Sequence, residues 1–544
     1  MKKATARKLI ATIIAAIMIS TLLVIASPAG AQAFGFGKWY LPEGYTGGNF
    51  DTYILIQNPN DWEAEASVRF MTDEAVTEPL EYELGANSRT TISVDEQPGL
   101  QNANVSTMVE ASSGVVVERA MYFNYENGKA GGSDSIGANQ TSRSWYMAEG
   151  YTGGDFDTYI LVMNPNEVPV NIKARFIKPA AVAGSGGAVE PQFIEKEYKV
   201  EPMRRFTIHV DEIEGLEDAE VSTEVFVLNA GEGGEWEEEA PGVVCERAMY
   251  FNYFGINGGH CSIGAPYPSN TWYLPEGRTA GEYDTFVLVM NPNSTPTHVR
   301  ATFMVPADGA GAGRDANPYE PDPDEEWKPE PDPVPDNVIT RDFVLDPLER
   351  YTIPLDKVEG LEATDVSTMI ESWAEENEPG PEPAPDPEPE GEGAVGGGSC
   401  NPVVVERAMY FTRGNNGDGH NSIGGTQKRE YWLMAEGYTA GGFDTWILVQ
   451  NPNDVDVTVR ATFMKPEGEP IVREYPVKKM SRLTIPVDKI DGLESAEVST
   501  KLQVLGAVEG GRNAACENGI VAERAMYFEY NGIVGGHSSL GVGE

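Results

Sequence analysis

At 544 residues the chain is too long for a single hydrophobic core. Asp and Glu outnumber Lys and Arg by 85 to 39, and the resulting net charge of −46 opposes binding to nucleic acid or to anionic lipid. Part of the excess lies in two acidic, proline-rich runs, 321 to 336 and 376 to 398, which offer no apolar face to bury and read as solvated loops.

Residues 1–33 have the layout of an export signal. Lys2, Lys3, Arg7 and Lys8 give a basic start, Leu9 to Ile25 an apolar run, and Ala31-Gln32-Ala33 a small-x-small cleavage site. The apolar run is long for such a signal, so an uncleaved membrane anchor is the alternative reading. No second apolar stretch of that length follows. The expected location is therefore secreted, or associated with the cell surface.

Beyond the signal, one series of motifs is written four times: WYLPEG, FDTYILIQNPN, VVVERAMYF and SIG in the first copy. The copies divide the chain into 34–138, 139–265, 266–426 and 427–544. A residue that performs chemistry once has no need of four copies, whereas a residue that holds a fold together does. Within the first copy WYLPEG is a short strand stopped by Pro and Gly, and a glycine-rich turn leads into TYILIQ. Asn-Pro-Asn ends that strand, since Pro fixes φ and Asn tolerates the left-handed region. EASVRFM, LEYEL, RTTISVD, VSTMVEA and VVVERAMYF follow, and SIG closes the unit. Seven or eight short strands in about 100 residues, without a helical period, predict an all-β chain of four tandem immunoglobulin-like antiparallel sandwiches. A β-propeller would also repeat, but each unit is about twice the length of a blade.

Spacing separates the rigid parts from the tolerant ones. Trp39 to Asp51, Trp145 to Asp157, Trp272 to Asp284 and Trp432 to Asp444 are each twelve residues, so that turn has fixed geometry. Thr107 to Glu118 is eleven residues while Thr368 to Glu406 is 38, which marks a surface hairpin loop. Seven residues separate the Gly of SIG from the next Trp at all three junctions, and this constancy predicts a semi-rigid rod of sandwiches in a row.

Six charged positions recur, in the first copy Glu43, Asp51, Arg89, Asp95, Glu118 and Arg119. Glu118 and Arg119 are adjacent in a strand and point to opposite faces, so one of them approaches the core and needs a partner. The expectation is one ion pair per repeat, Arg119 with Asp51 or Glu43, and correspondingly Arg247 with Asp157 or Glu149, Arg407 with Asp284 or Glu276, and Arg524 with Asp444 or Glu436. A ligand site at the same cluster is the alternative. His260, His420 and His537 recur in GGH or DGH, with Ser133 in the first copy, and read as loop histidines, because no second His or CxxC completes a metal set. Cys245 and Cys261 flank the ERAMYF strand of the second repeat and suit a cross-hairpin disulfide; the pairing of Cys400 and Cys516 stays open.

The nucleophile elbow, the phosphate-cradling loop and the protease dyad are all missing from the sequence, and no cofactor is expected. Calcium would find oxygen ligands in the acidic loops, although none follows an EF-hand or nonapeptide pattern. The Trp-Tyr pairs and Trp446 could stack on sugars, although aromatics that start a sandwich strand more often belong to the core.

Together, WY-x-A/P-EG, FDT, NPN, ERAMYF and GGH-x-S-I/L-G resemble a tandem repeat of exported surface proteins from actinobacteria-like and other environmental bacteria. The resemblance implies an extracellular β-sandwich module and carries no catalytic residues to transfer. The first copy departs from it with GGSDSIG, and the third with its two acidic insertions. The reading is a non-enzymatic structural or adhesive repeat protein whose partner is a cell-surface or extracellular polymer, protein or polysaccharide. A carbohydrate-binding array is the first alternative and an unrecognised hydrolase the second.

Overall fold

The computed structural model describes residues 34–125, 128–179, 192–228, 241–307, 337–374, 401–413, 416–505 and 518–544. The signal segment, both acidic runs, Cys400 and Cys516 lie outside these residues. No described helix is long and apolar enough to cross a membrane.

The chain is all-β and antiparallel. The first repeat contains β1 (Phe36–Leu41), β2 (Phe50–Asn58), β3 (Ala64–Met71), β4 (Leu80–Leu84), β5 (Ser88–Ser93), β6 (Ser106–Tyr125) and β7 (Lys129–Ile136). The 20-residue β6 runs through both layers, pairing β1 and β3 with its first half and β2 and β7 with its second. One layer thus reads β4-β3-β6-β1 and the other β5-β2-β6-β7. In the second repeat the long strand is split into Ser222–Leu228 and Val244–Tyr253, and the same orders recur as two separate sheets. Here the first strand pairs the strand made by VST, whereas an immunoglobulin sheet places its first strand beside its second. The sandwich class stands, with its own strand order.

Local chemistry explains the recurring strings. Each motif tryptophan is buried, and its indole N–H donates to a carbonyl across the sandwich: Trp39 to Val115 at 3.0 Å, and Trp145, Trp272 and Trp432 to Val243, Val403 and Ile520 at 2.8 Å. A buried indole needs such an acceptor. In NPN the first Asn clamps the next hairpin, Asn58 donating to the carbonyls of Trp62 and Gly85 at 2.8 Å, and the second donates to the first. Asp95 caps the turn by accepting from the Thr52 N–H at 2.8 Å.

The four repeats do not form a rod. β7 and its copies Ile256–Ile263, Asn416–Ile423 and Ile533–Leu540 pack against one another around a common axis, each touching the copy before and the copy after, and the fourth touches the first. The ring is closed. This corrects the expectation from linker length: a constant linker fixes a constant rotation, and a repeated heterologous contact closes when that rotation divides the circle. The same closure accounts for VVVERAMYF, where apolar alternation fails because both faces are buried, one in its own sandwich and one against the preceding repeat.

Candidate functional site

Each seam between neighbouring repeats is organised by the charged pair of the ERAMYF strand. Arg119 is fully buried, and its guanidinium donates to Glu246 of the next repeat at 2.8 Å and to the Glu43 carbonyl at 3.3 Å. Arg247 bonds Glu406 at 2.7 Å, Arg407 bonds Glu523, and Arg524 bonds Glu118 at 3.1 Å, which completes the circle. A second circle runs through the copies of Arg89. Arg205 reaches Glu43 at 3.1 Å, Arg350 the Gly150 carbonyl at 3.0 Å, Arg482 the Gly277 carbonyl at 2.6 Å, and Arg89 itself the Gly437 carbonyl.

Of the two expected partners, Asp51 does not reach Arg119, whereas the Glu43 position is used within a repeat in two copies, Arg247 with Glu149 at 2.8 Å and Arg524 with Glu436 at 2.9 Å; the pair between repeats adds to these. Strand parity excludes Asp51: Ile54 stands opposite Arg119 while Asp51 stands opposite Tyr122, so Asp51 and Arg119 point to opposite faces. The aspartates sit at the seam rims. Asp51 accepts from the Tyr530 hydroxyl at 3.3 Å, Asp157 pairs with Lys129 at 2.5 Å and Asp444 with Arg413 at 2.7 Å. Asp284 lies beside Asp356 and Lys357, and burial raises its carboxyl above the usual range. The glutamates Glu43, Glu149, Glu276 and Glu436 are all buried in the seams, Glu149 at 2.8 Å from Arg247, Glu276 at 3.4 Å from Arg482 and Glu436 at 2.9 Å from Arg524.

Two further expectations change. Cys245 and Cys261 are free thiols: Cys261 stands opposite Ala248, three residues from Cys245, so the two sulfurs leave opposite faces of the hairpin. Burial pushes the Cys261 thiol up to about 12. The GGH histidines are strand residues buried at the seams, where His420 meets the Ser538 hydroxyl at 2.9 Å and the Tyr527 hydroxyl at 3.3 Å. Burial and then Arg524 hold His537 neutral, down to about 3.

The seams are not alike. In the seams joining repeats 1 to 2, 2 to 3 and 3 to 4, two motif glutamates face two arginines, but the seam closing 4 onto 1 adds Asp134, where the other copies have Cys261, Asn421 and Ser538. Asp134 lies 2.6 Å from Arg524 and, with Glu436 and His537, forms a buried group whose ligand atoms all lie within 4.8 Å of one another. Burial raises the Asp134 carboxyl to about 7, against the pull of Arg524, and Glu118 likewise to about 7.

The seam between repeats 2 and 3 holds a cavity of about 630 Å³. Position 53 of the first repeat is Tyr, and its copies are Tyr159, Phe286 and Trp446. Tyr53 and Tyr159 touch Tyr530 and Tyr125 through their hydroxyls, at 3.3 and 3.2 Å, and Trp446 is a larger side chain; Phe286 has no hydroxyl to close the gap. Phe156, Phe286 and the stacked pair Tyr253 and Tyr410, 4.4 Å apart, form the walls, with Glu149, Glu220 and Arg350 among the polar lining. Two buried polar atoms there lack partners, Arg350 Nε and Thr352 Oγ1, although Arg482 and Arg205 reach the equivalent hydroxyls of Thr484 and Thr207. At the mouth stands Phe254, 93% exposed and held at φ +47°. The same turn in the fourth repeat is Asn531-Gly532, the residues that favour this backbone. A Phe in that place is strained and solvated, which nothing in the fold requires.

Strand register and ring closure are not legible in the sequence; the cavity partly is, because Phe254 and Phe286 are visible departures from the other copies. No family profile and no curated protein matches the chain. Among solved structures, Thermotoga maritima 1070 is 17% identical over 22% of this chain and 97% of its own, with a TM-score of 0.19. The Anabaena sensory rhodopsin transducer is 16% identical over 16% of this chain and 99% of its own, with a TM-score of 0.15. At these scores neither likeness carries an argument about function.

Proposed function

We propose that the protein is an exported, non-catalytic ring scaffold with a structural or adhesive role, and that it engages its extracellular partner at the seam between repeats 2 and 3. The observation that carries this reading is how the recurring charges are used. Among the described residues, Glu43, Glu118, Arg89, Arg119 and their copies bond at the seams, so these recurring charges are committed to holding the ring together.

A second reading, carbohydrate binding, is favoured by the aromatic walls of the cavity and by the exposed ring of Phe254 at its mouth. Aromatic faces and a few fixed polar groups suit a polyhydroxylated ring. The reading differs from an array of identical modules, since a cavity of this kind accompanies Phe286 in one seam. Phe254→Asn separates fold from function, because Asn suits the turn that Phe strains. Polysaccharide pull-down or glycan-array binding by the intact protein, lost in this variant with the melting temperature kept or raised, supports the carbohydrate reading. Binding to a cell-wall protein fraction with no glycan signal supports the adhesive one. Polysaccharide cleavage by the purified protein would overturn both.

A further inference from the structure

Where the four central strands meet, one residue breaks the repeat. The positions Gly131, Gly258 and Gly535 are glycine, and the fourth is Asp418. Its side chain is fully buried on the axis, and backbone N–H groups from all four repeats converge on it. Gly259 and Gly419 donate to Oδ1 at 3.2 and 2.8 Å; Gly132 and Gly536 donate to Oδ2 at 3.1 and 3.2 Å. Every one of these partners is a donor. Burial raises the Asp418 carboxyl well above its usual range, and the four N–H groups act against that rise; a carboxylic proton would find no acceptor among them, so the donor set favours the carboxylate.

The three glycines are also a steric requirement. A Cβ at Gly131, Gly258 or Gly535 would collide with the Asp418 carboxyl, so the axis holds one side chain and no second. Two carboxylates there would share one set of donors and repel at close range.

We propose that the pseudo-four-fold axis is a binding site for one small carboxylate-like anion, formed by four backbone N–H groups, and that Asp418 is its built-in ligand. This gives a physical reason for four repeats in a single chain. A ring of four identical subunits places four aspartates on its axis or none, while a tandem chain can place one.

The test moves the carboxylate. Asp418→Gly should lower the melting temperature of the intact protein by several degrees, and sodium formate should restore part of the loss without an equal effect on the unaltered protein at the same ionic strength. The double variant Asp418→Gly with Gly131→Asp returns one carboxylate to the axis from a different repeat. The three atoms nearest a Cβ at Gly131 all belong to the Asp418 carboxyl, which Asp418→Gly removes. Recovery of stability in the double variant, and its loss in Gly131→Asp alone, supports the proposal. A double variant no more stable than Asp418→Gly, or an Asp418→Asn protein as stable as the original, overturns it. If Asp418→Gly does not fold, the folding or failure of the double variant decides.

Discussion

The three seams that follow the chain and the one that closes it do the same mechanical job under different conditions. Repeats 1 to 2, 2 to 3 and 3 to 4 are tethered by seven-residue linkers, whereas repeat 4 meets repeat 1 without a covalent connection. The closing seam has extra contacts of its own: Glu544 accepts from the Gly35 N–H at 2.5 Å, the Phe34 ring lies 4.8 Å from that of Tyr431, and Lys501 stands 3.5 Å over Phe34. It also carries the surplus carboxylate. The tethered seams are balanced pairs held at high effective concentration, while the closing seam depends on its own contacts and on the protonation of Asp134.

The comparison breaks most sharply if a seam pair is removed. Arg119→Met leaves Glu246 buried without its charged partner and should cost ~3 to 5 kcal/mol, read by chemical denaturation; a double variant that also removes Glu246 as Gln should recover much of it. An equally stable Arg119→Met protein would show that the circle of pairs is dispensable.

The next effect is in pH. The folded carboxyls of Asp134 and Glu118 are raised to about 7, so their contribution is fully present below the unfolded value near 4 and is lost as pH rises to about 7. His537, lowered to about 3, acts oppositely: its contribution is present above its unfolded value near 6.5 and lost as pH falls toward 3. Asp134→Asn removes one raised carboxyl and relieves Glu118, so the variant should be more stable than the original at pH 8, by on the order of a few kcal/mol, and the gap should vanish near pH 4. Thermal melts across that range check it; a pH-independent difference would place the surplus charge elsewhere.

A smaller effect sharpens the role of the terminal contacts. Glu544→Gln weakens a charge-assisted bond to the Gly35 N–H and should cost roughly 1 kcal/mol, with hydrogen exchange rising at β1 and in Val542–Gly543 before the tethered seams respond. A change of similar size and opposite sign is expected from Phe254→Asn, a gain of about 1 kcal/mol as backbone strain is relieved. A loss of stability there would mean that the exposed ring packs in a way its exposure does not suggest.

Much of this was written in the sequence. The four copies, the strands, the buried tryptophans, the NPN turns and the recurring charges follow from period-two patterning and turn chemistry, which act over a few residues. VVVERAMYF also carried a signal of its second interface, since a strand apolar on both faces needs two partners. Tertiary structure alone decided that the copies form a ring. Equal linkers specify equal rotations but not their size, and closure depends on that angle. It also decided that Arg119 pairs with the next repeat and not with Asp51, because strand parity and register place their side chains on opposite faces. Reading what recurs located the framework; Asp134, Phe254, Phe286 and Asp418 are departures from it. Their meaning emerged only when closure brought distant copies to one seam or one axis, where a single unmatched side chain changes the balance of charge, space and hydrogen bonds.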